Sequence, residues 1–162
     1  MNSSSTPTPE PSETARHAWR AYFEATQMLS EMLERGLKKD SGMSLADYNL
    51  LLLLYEAPEG RLRMGELASG MVFSPSRITY QVKTLVARGL IERRAAECDR
   101  RGFEAVLTDE GRTAFRRAAA GHARQVDELF LSHLEPGEAE TLERIAGGAG
   151  VVVLEELSHA LA

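Results

Sequence analysis

Apolar residues recur along this chain at two spacings, and the change between them divides the chain into segments. Near the N-terminus, and again after residue 108, they return every three or four positions, which is the period of an amphipathic helix. Between residues 90 and 107 the period shortens to two, as in Phe103, Ala105 and Leu107, which predicts strands. The pattern therefore predicts a mainly α protein with a small β-hairpin, in the α+β class.

The first helix is predicted to start at Ser12, a favourable N-cap, and to be interrupted at Gly42. Its apolar stripe consists of Trp19, Tyr22, Phe23, Thr26, Leu29, Leu33 and Leu37. Residues 1–11 precede it and are rich in Ser, Thr and Pro. Such a segment cannot bury enough apolar surface to offset its chain entropy, so it is predicted to be a disordered tail.

The second helix is predicted to start at a capping box formed by Ser44 and Asp47. Its sequence, "LADYNLLLLLYEA", is apolar on almost every side, which indicates a helix at the centre of the domain. "PEGRLR" then predicts a turn and a short extended piece, and "MGELASGM" predicts two helical turns. The second helix is therefore expected to form the centre of the domain core.

The stretch from Val72 to Arg94 carries strong start and stop signals for a short helix. Ser74 suits the N-cap, Pro75 suits the first helical position, and Gly89 suits the position just after the helix. The predicted buried stripe is Ile78, Val82, Leu85 and Val86. A polar link that ends in glycine joins the two strands that follow, so the middle of the chain is predicted as helix, turn, helix and β-hairpin.

Two more helices are predicted after the hairpin, one capped by Thr108 and one that opens at Pro136. Together with the first helix they provide long apolar stripes that lack obvious partners in a chain of 162 residues. Two chains that share these stripes would bury them. We therefore predict a helical dimerisation domain from residues 12–40 and 109–162, and a separate head from residues 44–108.

Charge is distributed unevenly along the sequence. The whole chain carries −5, but residues 61–103 hold nine Lys or Arg against four Asp or Glu, so this segment is +5 and the remainder −10. The local field governs contact with a polyanion, so the central segment is predicted to bind nucleic acid. No run of apolar residues is long enough to span a membrane, and the start of the chain does not match a secretory signal, so we expect a cytoplasmic protein.

A helix-turn-helix places its second helix in the DNA major groove. Here that helix would offer Arg77 and Lys83 to phosphate or guanine. The following hairpin loop would form a wing whose arginines enter the minor groove, with Asp99 holding one of them in place. The predicted DNA-binding residues are Ser74, Ser76, Arg77, Thr79, Tyr80, Lys83, Arg94, Asp99, Arg100 and Arg101. The alternative is that these charges form only a solvated face.

The segment from Leu67 to Arg112 resembles the winged helix-turn-helix of the multiple-antibiotic-resistance regulator (MarR) family. The resemblance rests on "ARGLIER", on the wing sequence Asp99-Arg100-Arg101 and on "LTDEG" after the second strand. It implies a bacterial homodimer, joined through its N- and C-terminal helices, that binds near-palindromic operator DNA. It also implies a repressor that a small ligand or an oxidant releases. Tyr80 and Lys83-Thr84 depart from the family's common residues, so the base sequence that is read does not transfer.

The resemblance also implies a place for an effector, between the dimerisation helices and the head. A small aromatic or lipophilic ligand there would contact Trp19, Tyr22, Phe23, Met43, Tyr48 and Leu52, although plain core is the simpler interpretation of each residue taken singly. Cys98, the single cysteine, lies beside wing arginines that favour its thiolate, but an incidental thiol is the simpler interpretation. The four histidines are scattered, so no metal site and no cofactor are expected.

These features favour a transcriptional regulator that binds double-stranded DNA as a homodimer and associates with the bacterial nucleoid when bound. The alternative is an effector-independent DNA-binding or protein-interaction module. An enzyme is not expected, because the sequence contains no nucleophile elbow, phosphate loop or zinc-protease motif.

Overall fold

The computed structural model describes residues 10–71, 75–96 and 99–148, without the side chains of residues 75, 76, 96 and 99–101. Two compact units divide after Ala123. The elements are α1 (Glu13–Ser41), α2 (Leu45–Glu56), β1 (Arg61–Arg63), α3 (Met64–Gly70), α4 (Pro75–Ala87), β2 (Ile91–Ala96), β3 (Asp99–Leu107) and α5 (Asp109–Leu129). Residues 138–148 are also helical, and short 3₁₀ turns cover Pro58–Gly60 and Leu131–His133. The prediction of a mainly helical α+β fold is confirmed.

The predicted start and stop signals of the first helix, and the start signal of the second, are confirmed. The Ser12 hydroxyl accepts a hydrogen bond from the Ala15 N–H at 3.1 Å. Gly42 has a left-handed φ of 66°, which glycine adopts without strain, and its N–H donates to the Lys38 carbonyl. Both hydrogen bonds of the capping box at Ser44 and Asp47 are present. These contacts satisfy backbone groups that the helix ends leave unpaired.

The core of the first unit is built around α2. Leu50, Leu51 and Leu54 are fully buried, as its all-round apolar sequence predicts. Side chains from the other elements pack against them, among them Leu67, Ile78, Leu85, Ile91 and Phe115. The first unit is therefore held together by helices packed around α2 and by the inner face of a sheet.

The sheet has three strands in the order β1-β3-β2, and both pairings are antiparallel. The predicted hairpin is confirmed, with Ile91 opposite Leu107. The extended piece at Arg61–Arg63 adds the third strand by pairing with β3. The sequence alone predicted that piece but contains no signal for its partner, since the two strands are about forty residues apart.

The helix α4 begins at Pro75, as predicted, and Gly89 follows it with a φ of 71°. The prediction is wrong for one residue of the buried stripe, because Val86 is 39% exposed. Gln81 takes a buried position instead and is only 7% exposed. The buried side of α4 is therefore rotated toward Gln81, and one polar side chain enters the packed region.

The junction between β3 and α5 confirms the predicted cap at Thr108. The Thr108 hydroxyl accepts from the Gly111 N–H at 2.9 Å and lies 2.8 Å from the Gly89 carbonyl oxygen, to which it can donate. The Thr108 N–H donates to the Leu90 carbonyl. One threonine thus joins the turn after α4 to the start of α5.

The second unit contains the end of α5 and the helical residues 138–148. The last helix was predicted to open at Pro136, and the structure has a turn at 136–137 followed by helix from 138. The Glu138 carboxylate accepts from the Glu135 N–H at this start. The predicted stripe beyond residue 148 lies outside the described residues. No helix in the described ranges is long and apolar enough to cross a membrane.

Candidate nucleic-acid interface

The exposed side of α4 carries four of the residues predicted to bind DNA. Arg77, Thr79 and Lys83 are exposed, and Tyr80 is 72% exposed. Ile78, Val82 and Leu85 anchor the opposite side in the core. Because this anchoring fixes the rotation of the helix, the four polar side chains are presented together on a rigid element.

Five predicted DNA-binding residues lie outside the described side chains. Ser74 lies outside the described residues. Ser76 is in the first turn of α4, and Asp99, Arg100 and Arg101 begin β3, where only the backbone is described. Their roles remain predictions. The backbone nevertheless places Ser76 on α4 and the three others at the far end of the hairpin.

Two adjacent arginines in β2 lie on opposite faces of the sheet, since side chains alternate along a strand. Arg94 donates two hydrogen bonds to the Glu92 carboxylate, at 2.7 and 2.9 Å. The guanidinium of Arg93 lies 3.6 Å from the ring centroid of Phe103 on the neighbouring strand. Arg93 is also opposite Ala105, which is fully buried, so it shares the face that packs toward the helices. Sequence reasoning selected Arg94 and missed Arg93.

A crevice of about 320 Å³ separates α4 from the sheet. We call it the wing crevice, and it is lined by Arg63, Met64, Gly65, Thr79, Val82, Lys83, Arg93, Gly102 and Phe103. Three of these side chains are cationic, and none is acidic. The crevice therefore combines positive charge from three elements with apolar walls.

A second groove, of about 680 Å³, lies between α1, the start of α2 and the other side of α4. Its lining includes Glu34, Arg77, Tyr80 and Gln81. Burial raises the pKa of Glu34, but hydrogen bonds from Lys38 and the Leu45 N–H, with the charges of Lys38 and Arg77, lower it more, so the net shift is downward. Glu34 is thus held as a carboxylate between α1 and the head.

The six residues predicted to line an effector pocket occupy two environments. Trp19, Tyr22 and Phe23 are exposed on α1, where Trp19 is 65% exposed. Met43 and Tyr48 are buried in the core, and Leu52 packs against it. The 680 Å³ groove is lined by other residues. A single chain therefore does not gather the six around this groove, and the pocket stays a prediction.

His122 is half-buried and packs against the core residue Tyr48. Its ring is 4.4 Å from that of Tyr48, which is stacked in turn on Phe115. Burial lowers the pKa of His122, and burial together with the charge of Glu56 raises that of Tyr48. Among the described residues, no group of three His, Cys, Asp or Glu side chains could hold a metal ion.

An exposed polar helix next to a three-stranded winged sheet defines the winged helix-turn-helix class of DNA-binding proteins. Residues 41–102 match the MarR family. The MarR family regulator Sco3205 from Streptomyces coelicolor, solved in complex with DNA, is 35% identical with a TM-score of 0.84, and the match covers 88% of this chain and 90% of Sco3205. This chain belongs to the MarR family of DNA-binding transcriptional regulators, which confirms the predicted family.

Two other relatives support this family assignment. AbsC, a MarR family regulator from the same organism, is 30% identical with a TM-score of 0.85, and the match covers 91% of this chain and 99% of AbsC. The transcriptional repressor MdtR of Bacillus subtilis is 33% identical over 119 residues, which are 74% of this chain and 72% of MdtR. The family and these relatives are regulators rather than enzymes, which confirms that prediction as well.

Proposed function

We propose that this protein is a homodimeric repressor that binds a near-palindromic operator and is released by a small aromatic or lipophilic effector. The observation that carries the DNA-binding part is the exposed side of α4, where Arg77, Tyr80 and Lys83 project from a helix anchored in the core. A helix presented in this way fits the major groove, and its side chains can reach base edges and phosphates. The DNA complex of Sco3205 supports the same use of the fold.

Exposed apolar side chains on α1 support the homodimer. Trp19, Tyr22 and Phe23 are each at least half exposed, and the Trp19 and Phe23 rings lie 5.9 Å apart. Contiguous apolar surface of this kind marks an interaction site. A second copy of the chain would cover it by two-fold symmetry, and two heads would then meet two half-sites of DNA.

Different observations support repression and the release of the protein from DNA by an effector. MdtR is a repressor by name, which supports the same role for this chain. The dimer would bring the exposed aromatics of α1 toward a second head, where they could contact an effector. A protein that works on bacterial DNA in this way acts in the cytoplasm, at the nucleoid. The alternative, an effector-independent DNA-binding or protein-interaction module, would show no release.

Selection of bound duplexes from random DNA tests this function first. We expect enrichment of a two-fold repeat with half-sites about 10 bp apart, because one helical turn brings two recognition helices to the same side of DNA. Fluorescence anisotropy at two salt concentrations should then show tight, strongly salt-dependent binding to that site. Small aromatic acids and phenols, added to the complex, should lower the affinity.

Each part of the proposal has its own contrary result. Weak binding without enrichment would reject the regulator and direct attention to a protein partner. Enrichment of a single asymmetric half-site would reject the two-fold dimer. Tight binding that no compound weakens would favour the effector-independent module.

A further inference from the structure

The wing crevice lies where winged helix-turn-helix binding would require a phosphate contact. A recognition helix occupies the major groove and a wing occupies the neighbouring minor groove. The two grooves share one sugar-phosphate strand as their common wall. That strand must therefore pass between α4 and the β2–β3 hairpin, and the wing crevice is the space between these elements.

The cations of the crevice come from three different elements. Arg63 ends β1, Lys83 is on α4, and Arg93 is on β2. The carboxylate of Glu92 is engaged with Arg94 on the opposite face of the sheet. Glu66 accepts a hydrogen bond from the backbone N–H of Arg63 and is not part of the lining. Glu104 stands opposite Arg63 in the β1–β3 register and is not part of the lining either. Among the residues that the structure describes, the lining therefore holds three cations and no acid.

Arg93 is positioned by an aromatic contact. Its guanidinium lies 3.6 Å from the centroid of the Phe103 ring, within the range of a cation–π interaction. A guanidinium that contacts a ring through its face keeps N–H donors at its edge, in the fork geometry that matches phosphate oxygens. Met64, Val82 and Phe103 form apolar walls, and apolar surface beside a charge reduces the screening of that charge by water.

We propose that the wing crevice is a phosphodiester clamp in which Arg63, Lys83 and Arg93 bind the DNA backbone between the major and minor grooves. This inference rests on the proposed DNA-binding function and adds two residues, Arg63 and Arg93, to the interface. The contact carries no base information, because phosphates are the same in every sequence. It contributes affinity and fixes the distance between recognition helix and wing.

The first test replaces the two new cations by a neutral side chain of similar length. Arg63→Gln and Arg93→Gln should each weaken binding about tenfold or more, since each removes a charge-assisted contact. The loss should be similar for the selected operator and a scrambled duplex, and the slope of log affinity against log salt should fall by about one per variant. Anisotropy titrations over a series of salt concentrations measure all three quantities.

Arg117→Gln on α5 is the matched control, because it removes the same charge from an exposed position outside the crevice. It should leave the affinity and the salt slope close to those of the wild type. Arg93→Lys keeps the positive charge but lacks the planar fork of N–H donors. It should therefore keep the salt dependence of binding and lose part of the affinity. Circular dichroism of each variant establishes that the head is folded before affinities are compared.

The second test identifies the phosphate. Single methylphosphonate substitutions, which remove one phosphate charge at a time, are placed along the selected operator. The wild type should lose affinity when the neutral group stands between the two grooves, and Arg93→Gln should lose little more at that position. Independent, multiplicative losses would show that Arg93 does not touch that phosphate and would overturn the clamp.

The outcomes separate the clamp from the proposed function. If the wild type selects no DNA, the proposed function itself fails. If it selects an operator but Arg63→Gln and Arg93→Gln keep wild-type affinity and salt slope, only the clamp is rejected. A loss confined to the selected operator would also reject it, because that result indicates a base contact.

Discussion

Arg93 and Arg94 show how one position along a strand decides the role of a side chain. The two residues have the same chemistry and are neighbours in sequence, but the pleat sends them to opposite faces. Arg94 is engaged with Glu92, whereas Arg93 meets Phe103 and the wing crevice. Charge counting treats the two arginines alike. The register with β3 is what separates them, and it is visible only in the folded sheet.

The lowered pKa of a single residue, His122, leads to a prediction about how stability depends on pH. Burial lowers the pKa of His122, so the unfolded chain binds a proton at a higher pH than the folded protein does. Stability should therefore fall as the pH drops through the ordinary histidine pKa of about 6.5. We expect His122→Gln to lose less stability than the wild type between about pH 7.5 and about pH 5.5, because glutamine does not titrate.

Urea unfolding of both proteins at the two pH values measures this difference. Other titrating groups contribute equally to both proteins, so their effects cancel in the comparison. Equal pH dependence of the two free energies of unfolding would show that His122 is protonated as easily in the folded state as in the unfolded chain.

At the scale of elements, the start of α5 depends on a close approach that only glycine permits. A Cβ atom on Gly111 would lie 1.9 Å from the Leu90 carbonyl oxygen and 2.9 Å from Leu107 Cδ1. The Gly111 N–H also donates to the Thr108 cap. This contact explains the glycine in "LTDEG" physically, since β3, the turn after α4 and α5 meet there.

Gly111→Ala should therefore destabilise the protein, by about 1–3 kcal/mol, because the backbone of Leu90 or the start of α5 must shift. Gly121→Ala in the same helix is the control. A Cβ there would lie 3.6 Å from the Asp40 carboxylate, an ordinary contact, so helix propensity should stabilise that variant by up to about 1 kcal/mol. Urea unfolding at neutral pH gives both values, and a stabilising Gly111→Ala would contradict the close packing.

At the scale of the whole molecule, the apolar stripe of α1 is divided between two tasks. Leu37, near its end, is buried in the core, whereas Trp19, Tyr22 and Phe23 are exposed. The C-terminal end of α1 thus packs into the core, and its N-terminal half presents an apolar surface. Such a division is understandable if the exposed end belongs to an interface with a second chain.

Phe23→Glu should therefore shift the protein from dimer toward monomer, because it places a charge where apolar rings would pack. Sedimentation velocity at several protein concentrations measures the change. Glu24→Lys, one residue away and turned off the stripe by helical spacing, should leave the dimer in place. A Phe23→Glu protein that stays dimeric would move the interface to other helices.

The sequence by itself determined the local features of this protein. Helix starts at Ser12, Ser44 and Thr108 were predictable because capping depends on residues within one helical turn. The order of helix, turn, helix and hairpin followed from hydrophobic period and glycine positions, and the family resemblance followed from short motifs. Each of these signals is read over a few neighbouring residues.

Only the tertiary structure decided features that join distant parts of the chain. It paired Arg61–Arg63 with β3, exposed Val86 and buried Gln81. It also brought Arg63, Lys83 and Arg93 to one crevice. Strand pairing and packing connect residues far apart in sequence, and no local period encodes those partners. For this reason α4 was predictable from its own residues, whereas the crevice beside it was not.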